Sequence, residues 1–167
     1  YPSIKSHLDQ YYPKLEKRYD KGDTPYNLRS CAYTDEFFKQ KIIYNDITSK
    51  LSFALTKAEM FVNNTVYFIT SENENLLIYL LAVLNSKALD WYYRFLSVQL
   101  GKKTVRMYSI YVNSIPIPCN ISNENKLFDL ARHLAYNNNK DLEDSFDKAI
   151  YNLYGFSKEE IQFIDFQ

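Results

Sequence analysis

The longest apolar run in the chain, Leu76 to Leu84, has no charged or amide side chain, so a helix there must be enclosed by other elements on every side. Ser71 and Glu74 stand at capping-box spacing ahead of it and predict a helix start near Glu72. Beyond a break at Asn85-Ser86, the positions Leu89, Trp91, Tyr92, Phe95 and Leu96 predict a second helix. It should stop near Gly101, with Trp91 as a core anchor. Upstream, "KIIYNDI", "LSFAL" and "TVYFIT" are short β-branched or aromatic segments separated by turn residues, which predicts strands of one sheet. Tyr1 to Lys21 predicts a helix broken at Pro13, with Ile4, Leu8, Tyr11, Tyr12 and Leu15 near one face.

Pro116 and Pro118 are two residues apart, so in an extended chain their missing N–H groups fall on one side. "IPIP" therefore predicts an edge strand with Ile115 and Ile117 facing the core. After it the pattern is purely helical. Leu127, Leu130, Ala131 and Leu134 form one stripe, and Leu142, Phe146, Ile150 and Leu153 form another that ends at Gly155. Ser157 and Glu160 repeat the capping-box spacing before Ile161 and Ile164. The expected fold is α+β: a small mixed sheet packed with buried helices over residues 1–118, then a helical tail over 119–167 packed on it.

Length and composition narrow this picture. With 167 residues, 46% of them hydrophobic, the chain suffices for one domain with a real core, or one domain with a helical appendage. Tyr1 is not an initiator methionine and no signal-peptide pattern follows, so the chain reads as an internal or C-terminal piece of a longer protein. The apolar run is far shorter than the roughly 20 residues a spanning helix needs, so no membrane span is predicted. Cys31 and Cys119 lack CxxC or Cys/His spacing, which signals neither a disulfide framework nor zinc and fits a reducing cytoplasm. The formal net charge is zero, which alone argues against nucleic-acid binding. The charge is uneven, however: Tyr1 to Pro118 holds 15 Lys and Arg against 11 Asp and Glu, and the remainder holds 5 against 9. The abundant tyrosine and asparagine follow from A/T-rich codons as readily as from function and carry no argument.

Candidate chemistry is sparse. Gly22, Gly101 and Gly155 are the only glycines, so no Gly-rich phosphate cradle is present. His7 and His133 lie in separate predicted helices and read as surface or packing residues. Glu124-Asn125-Lys126 matches the D/E-x-K triplet of one nuclease class but lacks the preceding Pro-Asp, and no adjacent prolines form an Asn-Pro-Pro-Tyr-like tetrapeptide. The best polar cluster is "GKKTVR", with Lys102, Lys103, Thr104 and Arg106. Such a loop can set ammonium groups on phosphates and a guanidinium fork on guanine O6 and N7, or it can simply be solvated. Arg29, Lys39 and Lys41 could extend the positive face, although Lys41 could equally guard a sheet edge.

Several segments, taken in order, resemble the TaqI-like C-terminal specificity domain of bacterial type II restriction-modification enzymes. They are "YNLRSCAY", "FFKQKIIYNDI", "FVNNTVYFIT", "LLAVLNSKALDWYY", the basic loop with Arg106, and "SIPIP"; the tail "DKAIYNLYGFSKEEIQFI" is similar to the helical ending that follows this domain. The helix followed by Leu84-Asn85-Ser86-Lys87 and then Ile115 to Pro118 is the most specific part. Tyr26 is a departure, since the family commonly has tryptophan there. The resemblance implies a target-recognition domain for double-stranded DNA, attached behind an adenine-N6 methyltransferase domain and often a nuclease. It implies no catalytic residue in this piece, with S-adenosylmethionine, and Mg for a nuclease, held by the absent catalytic part. The rival readings are a protein-interaction or assembly module, which would use the apolar stripes of the tail, and a small intact enzyme, for which no coherent catalytic set exists.

Overall fold

A computed structural model describes residues 1–118, 124–136 and 139–166; the side chains of Glu124, Asn125 and Lys126 lie outside that description, as does Cys119. The chain divides into two compact units, Tyr1–Asp35 and Glu36–Gln167.

The first unit holds helix α1 (Pro2–Asp9) and helix α2 (Tyr12–Glu16), then a single antiparallel bridge between Lys21 and Leu28. Pro13 sits in the first turn of α2, where its missing N–H costs nothing, so the predicted break falls just ahead of it. The predicted apolar face is not covered: Ile4 and Tyr11 are exposed, and no residue of this unit is buried, because so short a segment cannot close a core. Polar and ring contacts hold it instead. The Tyr26 hydroxyl donates to Asp9 at 2.5 Å, Lys5 bridges Asp9 at 3.0 Å, and the Lys5 ammonium lies 5.1 Å from the centre of the Tyr26 ring. Tyr26 thus does here what a tryptophan could do only in part, since its hydroxyl reaches the carboxylate.

In the second unit the strands are β1 (Lys41–Asn45), β2 (Ile47–Thr48), β3 (Phe53–Thr56), β4 (Val66–Thr70), β5 (Gln99–Leu100) and β6 (Thr104–Arg106). The class is α+β, as the pattern predicts. The strands do not form one mixed sheet, however: they form two three-stranded sheets, β3-β1-β4 and β2-β6-β5, with every pairing antiparallel. The cause is local to Asp46. Its N–H bonds Thr65 and its carbonyl receives the Met107 N–H at 2.7 Å, so one continuous extended segment leaves the first sheet and enters the second there. Across the first sheet Phe53, Tyr44 and Tyr67 stand opposite one another in register and stack into an aromatic row, with ring centres 5.2 and 5.4 Å apart.

Helix α3 (Glu74–Leu84) is the centre of the core, with Leu77, Ile78, Val83 and Leu84 almost fully buried. Its enclosure follows from contacts with β1 and β3 on one side and with the helix Glu124–Tyr136 on another. The cap is Asn73, whose side chain accepts the Leu76 N–H, rather than the expected Ser71, which instead accepts the Asn73 N–H. Asn at the position nearer the apolar run competes better than Ser two residues earlier. Helix α4 (Lys87–Leu96) follows at once, and Trp91 packs between Phe95 and Phe163. A short α5 (Ser109–Val112) comes after β6, then α6 (Glu124–Tyr136), α7 (Lys140–Tyr154) and α8 (Lys158–Asp165). Gly155 closes α7 at φ +72°, and the Ser157–Glu160 capping box opens α8.

"IPIP" is not a strand, which corrects the expectation from its prolines. Ile115 is buried and Ile117 packs against the core, but the carbonyls of Pro116 and Pro118 accept the hydroxyls of Tyr154 and Tyr79, at 2.6 and 3.0 Å. The segment is a strap laid over α7 and α3. Tyrosine hydroxyls satisfy it where a neighbouring strand would find two N–H groups missing.

Candidate nucleic-acid interface

The "GKKTVR" segment is a hairpin, not an open loop. Leu100 pairs with Thr104, leaving Gly101, Lys102 and Lys103 as a three-residue turn, and Gly101 takes φ +74° where a side chain would be strained. The Thr104 hydroxyl donates to the Leu100 carbonyl and staples the turn. Lys102 and Lys103 stand at the tip, exposed, and neither has an acidic partner among the described residues.

Arg106 lies on the middle strand of the second sheet, on the face away from the core. Val105 beside it is buried, so the alternation of the strand turns Thr104 and Arg106 outward. Four groups fix Arg106. Its Nη1 donates to Asp46 Oδ2 at 2.5 Å, and its guanidinium lies 5.3 Å from the centre of the Tyr108 ring. Its carbonyl accepts the hydroxyls of Tyr93, at 3.0 Å, and Ser97, both at the α4 end of the core. The Tyr93 side chain is completely buried, and burial pushes its hydroxyl up to about 12, so it remains a donor across the working pH range. The other Asp46 oxygen, Oδ1, is buried and has no hydrogen-bond partner. About 30% of the Arg106 side chain remains accessible, enough to present the rest of its fork to solvent.

Replacing Tyr93 by phenylalanine keeps the ring and removes one of the two donors to this carbonyl. It should lower stability by about 0.5–1.5 kcal/mol in urea melts with little change in DNA affinity, because Ser97 still holds the strand. A large loss of affinity at unchanged stability would make Tyr93 part of the reading geometry itself.

The remaining expected contacts separate. Lys39 lies between two carboxylates, Glu36 at 2.8 Å and Glu72, whose hydrogen bonds hold its pKa well above the usual lysine range, so its charge is already compensated. Lys41 is a correction. Its side chain is 0% exposed, and its ammonium donates to the carbonyls of Phe37 and Met60, at 2.9 and 3.2 Å. It neither extends a positive face nor guards a sheet edge, because β1 is the central strand of its sheet. Arg29 is exposed in the first unit. Among the described residues no group of three or more His, Cys, Asp or Glu side chains is gathered as a metal site.

The family model of the TaqI-like C-terminal specificity domain matches residues 4–117. The chain belongs to this family. No curated protein matches it. The TaqI-like domain is a DNA sequence-specificity domain, and the basic hairpin falls within the matched residues. No helix among the described residues is long and apolar enough to cross a membrane.

The Leu84-Asn85-Ser86-Lys87 stretch of this specificity domain is a structural junction. The Asn85 amide accepts the Phe53 N–H and donates to the Phe53 carbonyl, both at 2.9 Å, replacing the neighbour that edge strand β3 lacks. A second hydrogen of the same amide caps the Leu81 carbonyl. Ser86 opens α4, and the Lys87 N–H meets Asp147 while its ammonium faces Asp144, Asp147 and Asp165 on α7 and α8. Burial pushes the Asp147 carboxyl up, opposed by the Lys87 N–H and ammonium. The motif therefore fastens sheet, helix pair and tail behind the hairpin.

Asp46, Tyr93, Ser97 and Tyr108 were not legible as site residues. Asp46 alone carried a signal, because an acidic residue inside a β-branched strand is disfavoured and marks a break.

Proposed function

We propose that this specificity domain reads duplex DNA for an adenine-N6 methyltransferase domain of the same parent enzyme, with or without a nuclease. The observation that carries the reading is the hairpin: an arginine held by a carboxylate on an outward strand face, with two unpaired lysines at the adjacent tip. Lysines placed this way contact phosphates and set register, while an oriented guanidinium meets a guanine edge in the major groove. S-adenosylmethionine belongs to the catalytic domain in this reading, since three isolated glycines offer no cradle for it here. A cytoplasmic location follows from the substrate.

The rival is a protein-docking module. It is favoured by the exposed Phe95 and Phe163 beside Trp91 on α4 and α8. Salt separates the two. The chain should retain members of a randomised duplex pool, and lose them steeply as salt rises, because phosphate contacts release counterions. Lys102→Ala and Lys103→Ala should each weaken all sequences alike and reduce the salt slope by about 1. Absence of retention at low salt would leave the docking reading standing in place of this one.

A further inference from the structure

The outer face of the second sheet carries more than Arg106. The register sets Ile47 directly opposite Arg106 on one side. On the other side the β5–β6 register, continued by the Arg106 N–H to Val98 carbonyl bond, sets Val98 opposite it. Leu100 stands opposite Thr104, two pairs nearer the lysine tip and therefore on the same face. These three apolar side chains are open to solvent, at 45% for Ile47, 49% for Val98 and 36% for Leu100. A single exposed apolar residue needs no account, but three around one oriented arginine, on a strand ribbon with a cationic tip, form a chemically mixed surface.

We infer that Ile47, Val98 and Leu100 read the 5-methyl groups of thymines next to the guanine bound by Arg106. The inference rests on the DNA-reading proposal above and adds base identity to it. In the major groove every base edge presents polar groups, and the one apolar group is the thymine methyl. An arginine between aliphatic side chains therefore matches a guanine flanked by thymine on either strand. It does not match a run of G·C pairs, whose exposed amino and carbonyl groups would be desolvated against Ile47 and Val98 without partners. The spacing agrees. Neighbouring strands stand about 4.8 Å apart against about 3.4 Å between successive base pairs, so side chains flanking Arg106 reach one to two pairs to either side. The groove, about 12 Å wide, admits a β-ribbon. The unpaired charge of Lys102 and Lys103 makes the occupant polyanionic, which selects nucleic acid over an apolar protein patch.

The test first recovers the recurrent site from a randomised duplex pool with the 167-residue chain. The affinity of that duplex is then measured with each thymine exchanged singly for deoxyuridine, which removes the methyl and keeps every hydrogen-bonding group. The expected result is a loss of about four-fold at each contacted thymine, the value of one buried methyl. That loss should vanish for at least one thymine in Ile47→Ser, Val98→Ser or Leu100→Ser, checked for folding by circular dichroism. The inference is overturned if a guanine-containing site recurs and deoxyuridine changes affinity less than two-fold at every position, and equally if the penalty persists in all three variants. Either result leaves DNA reading by Arg106 intact. Failure of any site to recur removes the DNA-reading proposal, and this inference with it.

Discussion

Arg106→Ala is expected to relax the choice of base at one position by about 1–3 kcal/mol, a factor of up to about a hundred in discrimination. The salt dependence should stay close to that of the parent chain, because the lysines of the hairpin tip remain. The size of the effect follows from preorganisation. Asp46 holds Nη1, Tyr108 lies under the guanidinium, and two hydroxyls hold the carbonyl, so little rotamer entropy remains to be lost when DNA arrives. The same substitution strands the Asp46 carboxylate, whose Oδ1 is already buried without a partner, and should lower stability by about 1–2 kcal/mol. Asp46→Asn separates the two consequences: it keeps the side-chain shape, weakens the grip on the arginine, and should reduce discrimination at the same base pair by a smaller factor. The measurement is affinity for the recovered site and its single-position variants. Equal loss on every sequence for Arg106→Ala would make it a phosphate contact and would leave Asp46 with a purely structural role.

How much of this could be read in advance depended on whether the deciding interaction was local. The enclosed helix α3, the strand "TVYFIT" and the box opening α8 are written in contiguous residues, and the fold follows them, while "KIIYNDI" is extended as expected but divides at Asp46 between two sheets. Where a distant partner decides, the pattern misled. The prolines of "IPIP" do forbid full strand pairing, but only the tyrosines of α3 and α7 explain what takes its place. The hairpin was legible as a basic loop because Gly101 and the lysines are adjacent. Its reading geometry was not, since Asp46 is sixty residues from Arg106 and joins it only because one extended segment passes from the first sheet into the second. Asn85 is the reverse case: the resemblance singled it out, and the structure supplies its reason, a side-chain amide that completes a sheet edge.

Lys41→Ala is expected to destabilise the fold by about 2–4 kcal/mol, read as a shift in the urea midpoint, and to leave DNA affinity unchanged for whatever remains folded. Lys41 and Ile43 share a face of β1 with Thr70 and Phe68, and rings of Phe37 and Phe61 stack near that face. Truncation leaves a cavity there and orphans the carbonyls of Phe37 and Met60. Lys41→Met keeps the volume and loses only the donor, which isolates the hydrogen bonds from the cavity. Burial also lowers the Lys41 pKa below its usual 10.5, so the unfolded chain holds this proton at pH values where the folded chain has released it. Stability of the parent chain should therefore rise relative to Lys41→Met as pH climbs toward 10.5, since the cost of burying the charge disappears as the buried amine loses its proton. A variant that melts like the parent and binds DNA more weakly on all sequences would return Lys41 to the positive face from which its burial removes it.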